Sequence, residues 1–496
     1  MNGQKQAPSN VARIGWAIKD TSRDGIPQVV AYQAGVGTMG GPLARIVGGA
    51  TGAGLKEIVR DAYTYLAANW RQGDEIFLIG FSRGAFTARS VAGMIGALGL
   101  LTKKGLPSFN EIFEDYEHRY SDNYTSKYPD VPFPNKPPFD DHYVAELQRR
   151  GLTNLPVPIK AVAVWDTVGA LGIPRVGWLE SIGLQSKSMR NYEFYDTRLS
   201  PAIENAFQAL ALDERRSPFS PALWEKRDND RTNLKQVWFP GVHSNIGGGY
   251  DDQELANITL AWMMSRLEPF LDFRRDFLME CYEDNRRYYK QTDQKPRWWS
   301  FGEIYNSMKG VYALAGAKTR TPGNYYRVDP YSGRPTRKRL KNTNEYIHPS
   351  VRSRVGLQGP GEQDRGIYEP EALRDWTFEA EPGQNAEGVS VVWVDRSGGN
   401  TGGQERIPEA VLLETEIALL RESPRVEEYL RTSQLPIREK RRSRRMDGDA
   451  VYSNGGDRRH KRRDDALEGR GESKRRPSRT RDGDRERRRR SRRDDV

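Results

Sequence analysis

A single cysteine, Cys281, stands among 496 residues, which excludes an internal disulfide and any metal site built from several thiolates. Such sparing use of cysteine suits a reducing compartment. No run of about 18 uncharged apolar residues is present to span a bilayer; the best candidate, residues 84–101, is interrupted by Arg89. The opening stretch MNGQKQAPSNVARIG has no apolar core of signal-peptide length. A soluble, cytoplasmic protein is therefore expected, with a nuclear location open to it through a basic tail. Histidine is scarce as well. Of the five present, only His118, His142, His243 and His348 precede that tail, so a reaction needing an imidazole base has few candidates. Nothing has metal-ligand spacing, and neither a metal nor a cofactor is expected.

Net charge is +11, and its placement decides what it means. Residues 438–496 hold 24 Lys and Arg against 13 Asp and Glu, so the rest of the chain carries 54 of each sign. The body is neutral and the excess belongs to the tail. With KRRSRRMDGD, KRRDD and RDGDRERRRRSRRDD and no apolar core, residues 436–496 read as a disordered Arg-rich segment. Nucleic acid would be bound only through this tail, and an anionic membrane surface would meet it through the same charge. No feature of the sequence specifies an oligomeric state.

Ahead of the tail, short apolar runs alternate with amphipathic stretches. PQVVAYQAG (27–35) reads as a strand, 54–70 as a helix, 75–80 as a strand and 83–101 as a helix. Further strands begin at IKAVAVW (159–165) and LKQVWFP (234–240), the second followed by a helix over 253–272. That alternation implies an α/β protein with a mainly parallel sheet covered by helices on both faces. Residues 1–350 form the expected main domain. Within it, 273–350 is an aromatic-rich, helical insert. Residues 351–435 form a small accessory region. Trp, Tyr, Lys and Arg in RWWSFGEIYNSMKGVYALAG (297–316) fit either a lid that touches membrane or ordinary packing of the insert. GVGTMG (35–40) has the spacing of a dinucleotide fingerprint, but the glycine-broken segment after it is no clean helix, so it reads as a loop.

The stretch IFLIGFSRGAFTAR (76–89) places Ser82 between Gly80 and Gly84, where a buried strand turns into a helix. G-x-S-x-G is weak by itself, but in this context it reads as a nucleophile elbow. The tight turn would lift the Ser82 hydroxyl above the sheet and onto a helix N-terminus, where the backbone N–H of Arg83 would supply part of an oxyanion hole. The plainer alternative is a helix-capping serine. A serine hydroxyl needs a base. His118 and His142 lie in charged segments and should be exposed. His243, in VWFPGVHSNIGGGYDD, follows a strand at the edge where open sheets place active-site groups; His348 is the second choice. Asp166, at the end of AVAVW, would orient the imidazole, with Asp213, Asp251 and Asp252 as alternatives. The order Ser82, Asp166, His243 is that of α/β-hydrolases.

PSNVARIGWAIK, IPQVVAYQAGVGT, GGATGAGL, GFSRGAFTARSVAGMIG, VAVWDTVGALG, ALALDERRSPFSP, QVWFPGVHSNIGGGY and NEYIHPSVR together resemble an uncharacterised α/β-hydrolase domain family of fungi and bacteria. That family includes the phospholipase effectors of bacterial type VI secretion systems. The resemblance runs from about residue 8 to residue 350, and more loosely to about 430. It implies an α/β-hydrolase fold and Ser–Asp–His hydrolysis of a carboxylic ester, that of a phospholipid or other lipid, with transient contact to a membrane surface. Carried over by position, it gives Ser82 as nucleophile, His243 as base and Asp166 as acid. Family members usually open with a strand leading into Asp-Gly-Thr-Trp on the oxyanion side; this sequence starts after that point. A chain without that strand would lose an oxyanion donor, at a cost of about 10²–10³ in rate. The rival expectation is a silent hydrolase-fold scaffold whose basic tail binds RNA or an anionic membrane.

Overall fold

The apolar runs become strands because both of their faces find cover. β1 (Phe77–Phe81), β2 (Ile159–Trp165), β3 (Ile203–Ala211), β4 (Asn233–Phe239) and β5 (Glu345–Ile347) lie side by side in that order, every neighbouring pair parallel. In β2, Ala161, Val162, Ala163, Val164 and Trp165 are all fully buried, which is why this strand reads as continuously apolar rather than alternating. The computed structural model describes residues 7–34, 53–121, 123–168, 199–308, 316–328, 335–382, 389–397 and 406–433. Two units divide the chain, Met1–Lys440 and Arg441–Val496, and the described residues all belong to the first. The glycine-rich stretch 35–40 and the tail expected over 436–496 lie outside the described residues.

Alternation along β2 sends its side chains into two cores. Val162 and Val164 pack with Val59 and Tyr63 of α2 (Ala53–Asn69), Val91 and Ile95 of α3 (Arg83–Leu98), Phe113 of α4 (Phe109–Glu117) and Leu147 of α5 (Asp141–Arg149). Ala163 and Trp165 pack on the opposite face with Ile14 of α1 (Asn10–Ala17), Trp262 of α6 (Glu254–Leu267) and Phe277 of α7 (Phe277–Gln291). α6 is buried on nearly every side, so its polar groups need partners inside. α1 supplies some of them: the Asn10 amide donates to the Ala256 carbonyl and to Thr259 Oγ1, both at 3.0 Å, and Arg13 donates to Asn257.

Beyond β5, α8 (Pro349–Gly356) and an antiparallel sheet of β6 (Trp376–Pro382), β7 (Val389–Asp395) and β8 (Arg406–Pro408) close a third core on Leu210, Trp238 and Ile347. Helices α9 (Glu414–Leu420) and α10 (Pro424–Ser433) pack back on the first. The stretch 273–350 supplies α7, a two-stranded ribbon and β5 itself. In its aromatic part, Trp299 and Ile304 are buried in the first core, while 309–315 lie outside the described residues.

Several local expectations are corrected. Residues 28–34 form no strand: Val29 and Tyr32 are exposed, and Gln28 bonds through its side chain to the carbonyls of Lys19 and Asp272 instead of joining a ladder. α3 stops at Leu98 because Gly99 takes a φ of 74°; Leu100–Leu101 then pairs with Thr153–Asn154. His118 is half-buried at the end of α4, its ring stacked on Tyr124, whereas His142 is exposed as expected.

Candidate active site

Ser82 follows Phe81, the last residue of β1, and its backbone sits at φ 59° and ψ −121°, a region that non-glycine residues rarely occupy. Strain of this kind costs on the order of 1–3 kcal/mol and persists only where the surroundings enforce it. They do so here: the Ser82 N–H donates to the Trp165 carbonyl at 3.1 Å, extending the β1–β2 ladder by one residue. Gly80 lies against the first turn of α3, and a Cβ there would come within 2.6 Å of Ala85 N. Although Ser82 stands at the N-cap of α3, its hydroxyl makes no capping bond. It points instead to His243, with Oγ 2.7 Å from Nε2. Arg83 is the first residue of α3, where backbone N–H groups point out of the helix end.

Because Phe81 pairs with Trp165 and Ala211 with Phe239, the strands end together and their following residues meet at one rim. Asp166 follows β2 and is fully buried, at φ 40°, with its N–H on the Ala209 carbonyl. His243 opens a five-residue helix just after β4 and is 4% exposed. Its Nδ1 lies 2.6 Å from Asp166 Oδ2. An ionised carboxylate can only accept, so Nδ1 carries the proton and donates it, which leaves Nε2 to accept from the Ser82 hydroxyl. The imidazole is walled by the Phe81 ring at 4.6 Å and the edge-on Phe219 ring at 4.9 Å.

Charge around this chain of hydrogen bonds is arranged in pairs. Asp166 Oδ1 accepts from Ala211 N at 3.0 Å, and Arg320 grips both carboxylate oxygens. Burial alone would raise the Asp166 carboxyl, but the Arg320 guanidinium, helped by His243, holds it well below the usual carboxylate range. Burial pushes the His243 imidazole down, against the pull of Asp166, and the nearby Arg216 adds to the lowering. The base is thus kept neutral and able to accept a proton. Glu214, buried at the same rim, accepts the His243 backbone N–H at 3.2 Å and a forked pair from Arg216.

Among the four candidate acids, Asp166 is the one beside the imidazole. Asp213 accepts from Gly241 N at 2.6 Å and from the Tyr368 hydroxyl at 2.8 Å, and burial pushes it up to about 6. Asp252 accepts from Tyr289, Glu254 N and Glu303 N, and Asp251 is exposed. His348 has a serine and a carboxylate of its own: Ser350 donates to Nδ1 at 2.7 Å, and Nε2 donates to Glu416 at 3.0 Å. All three are at most 1% exposed, so this set joins α8 to α9 with no access for a substrate. The sequence pattern singles out neither Arg320 nor Glu214. Glu214 adjoins the candidate Asp213, but Arg320 is one arginine in a basic segment and carries no sequence signal. Among the described residues no group of three or more His, Cys, Asp or Glu side chains could hold a metal ion, and no helix is long and apolar enough to cross a membrane.

Residues 1–266 match the family model of the type VI secretion system phospholipase effector Tle1-like catalytic domain. An uncharacterized protein of Saccharomyces cerevisiae, YEL023C, is 28% identical over 213 residues, covering 40% of this chain. The match spans 27% of that yeast protein, so the chain accounts for about a quarter of its relative's length.

Proposed function

The chain belongs to the family of type VI secretion system Tle1-like phospholipase effector catalytic domains, and on that premise we propose that it is a serine hydrolase of α/β-hydrolase fold that cleaves a carboxylic ester of a lipid. Ser82 attacks the ester carbonyl as His243 Nε2 takes its proton. The negative charge that forms on the carbonyl oxygen is met by the Arg83 N–H at the helix start. As the tetrahedral species collapses, the leaving alcohol takes the proton from Nε2 and the acyl group stays on Ser82. Water then gives a proton to His243 and attacks the acyl carbonyl, and the acid departs as the proton returns to Ser82. Throughout, Asp166 holds the ring in the Nδ1–H tautomer and balances the charge of the imidazolium.

The observation that carries this reading is the Ser82 hydroxyl, held at a left-handed φ, uncapping its own helix and 2.7 Å from a buried imidazole. Wild-type and Ser82→Ala protein, assayed on p-nitrophenyl esters and a panel of phospholipids, test it. Turnover should vanish in the variant while the far-ultraviolet circular dichroism stays unchanged. Equal turnover in both proteins would remove Ser82 from the reaction, and an inert wild type would favour the scaffold alternative.

A further inference from the structure

Arg320 is distant in sequence from all three members of the hydrogen-bond chain, yet it is 4% exposed and ends on the same carboxylate as the imidazole. Its Nη1 donates to Asp166 Oδ1 at 2.5 Å, and its Nη2 donates to Oδ2 at 3.0 Å and to the Phe219 carbonyl at 2.9 Å. A planar guanidinium meeting a carboxylate with two parallel bonds fixes the carboxylate plane as well as its position. That plane decides whether the Oδ2 lone pair faces His243 Nδ1.

The segment that delivers Arg320 is secured along its length. Gly316 accepts from Ser217 N at 3.2 Å, and Lys318 N donates to the Arg215 carbonyl at 2.8 Å, around a bridge between Arg216 and Ala317. Further on, Gly323 N donates to Glu345 at 2.9 Å and the Tyr325 ring stacks on Trp238. The partner loop, 214–219, carries Glu214 on the His243 backbone and Phe219 on its ring. One strap therefore orients the acid, and the loop it is tied to walls the base.

We propose that Arg320 is a positioning residue for the hydrolysis, clamping the plane of Asp166 and sharing its charge with the imidazole, so that the reaction depends on the seating of segment 316–321. The proposal rests on the Ser82–His243–Asp166 reading above. The groups facing His243 are Asp166 and Arg320 on the Nδ1 side, Ser82 at Nε2, Glu214 and Arg216 from the loop, and the Phe81 and Phe219 rings. Arg216 is the cation that lowers the imidazole directly, while Arg320 offsets part of the Asp166 charge that pulls it up, so removing Arg320 favours the protonated ring.

Arg320→Met and Arg320→Lys test this by two readouts: histidine-ring NMR titration of His243, assigned against His243→Gln, and the pH profile of ester hydrolysis. Arg320→Met should raise the His243 midpoint, and with it the acid limb of kcat/KM, by about one pH unit. Its kcat should fall about 10²-fold with KM within about threefold, as expected for misplaced groups rather than lost binding. Arg320→Lys keeps the charge and loses the fork, so its midpoint should stay within about 0.3 units while kcat falls about tenfold. A folded Arg320→Met protein with a wild-type midpoint and kcat would overturn the proposal, as would one changed only in melting temperature. Should Arg320→Met fail to fold, Arg320→Lys decides: a lowered kcat at an unmoved midpoint supports the clamp, and a wild-type kcat overturns it. Protein that lacks Ser82-dependent turnover sinks the hydrolase reading and the positioning role with it, whatever the midpoint does. Ser82-dependent turnover that ignores Arg320 overturns the clamp alone.

Discussion

Replacing Gly80 by alanine should damage both stability and rate, whereas the same change at Gly84 should not. The two glycines flank Ser82 symmetrically in sequence but not in space. A Cβ on Gly80 would overlap the Gly84 carbonyl, lying 2.5 Å from its carbon and 2.6 Å from Ala85 N. Backbone cannot rotate out of the way as a side-chain tip can, so the start of α3 must retreat by about 1 Å to restore normal contact. Overpacking of that kind costs about 1–3 kcal/mol. The same retreat moves Ser82, and a misplacement of about 1 Å at a reacting group costs on the order of 10² in rate. At Gly84 a Cβ would meet nothing within 4 Å, and the residue is exposed in the first turn of α3. Alanine there should stabilise by up to about 1 kcal/mol through helix propensity. Urea denaturation and kcat on a p-nitrophenyl ester measure both effects. A Gly80→Ala protein with wild-type midpoint and kcat would refute the close strand-to-helix packing on which the Ser82 geometry depends.

Asp166→Asn should lower kcat by roughly 10³–10⁴, because an amide can hold the ring in the wrong tautomer and cannot balance an imidazolium. Asp213→Asn should leave kcat within about threefold, since an amide oxygen can keep the bonds from Gly241 and Tyr368; comparable losses in the two variants would contradict the choice of acid. With its carboxyl raised to about 6 from an ordinary 3.8, Asp213 binds its proton more tightly folded than unfolded. Its contribution to stability is therefore present at low pH and lost as pH rises through that window, and chemical denaturation of Asp213→Asn should show the loss removed. His348→Ala should cost on the order of 3 kcal/mol, from a cavity and two broken buried hydrogen bonds, with kcat retained below the melting transition. A selective loss of kcat in a stably folded protein would show that His348 belongs to the reaction.

Much of the fold was legible wherever a strand is buried on both faces. IKAVAVW and LKQVWFP announce themselves because their polar residues, Lys160, Lys235 and Gln236, fall near the start and an unbroken apolar run follows, and Asp166 and His243 come after those runs. β3 hides because Asn205 and Gln208 break its apolar run. Those side chains pair inside the fold, Asn205 with the Lys160 carbonyl and Gln208 with the Ala222 carbonyl and Gln236, and no local pattern reveals such partners. PQVVAYQ fails in the opposite way. It has strand propensity, but among the described residues its backbone pairs only at the Thr21–Pro27 bridge and through the Gln28 N–H on the Asp20 carbonyl, too little for a ladder. Arg320 was out of reach for a third reason: its role is set by backbone pairing of 316–318 with 215–217, across a separation in sequence that periodicity does not record.

Hydrolysis by this site requires the hydroxyl of Ser82 to be the group that attacks. Treating the wild-type protein with a fluorophosphonate and locating the adduct by peptide mass spectrometry tests this without knowledge of the substrate. The adduct should fall on Ser82 and should form far more slowly in His243→Gln protein, because the imidazole that takes the proton is gone. An adduct on another residue, or none on correctly folded protein, would contradict it.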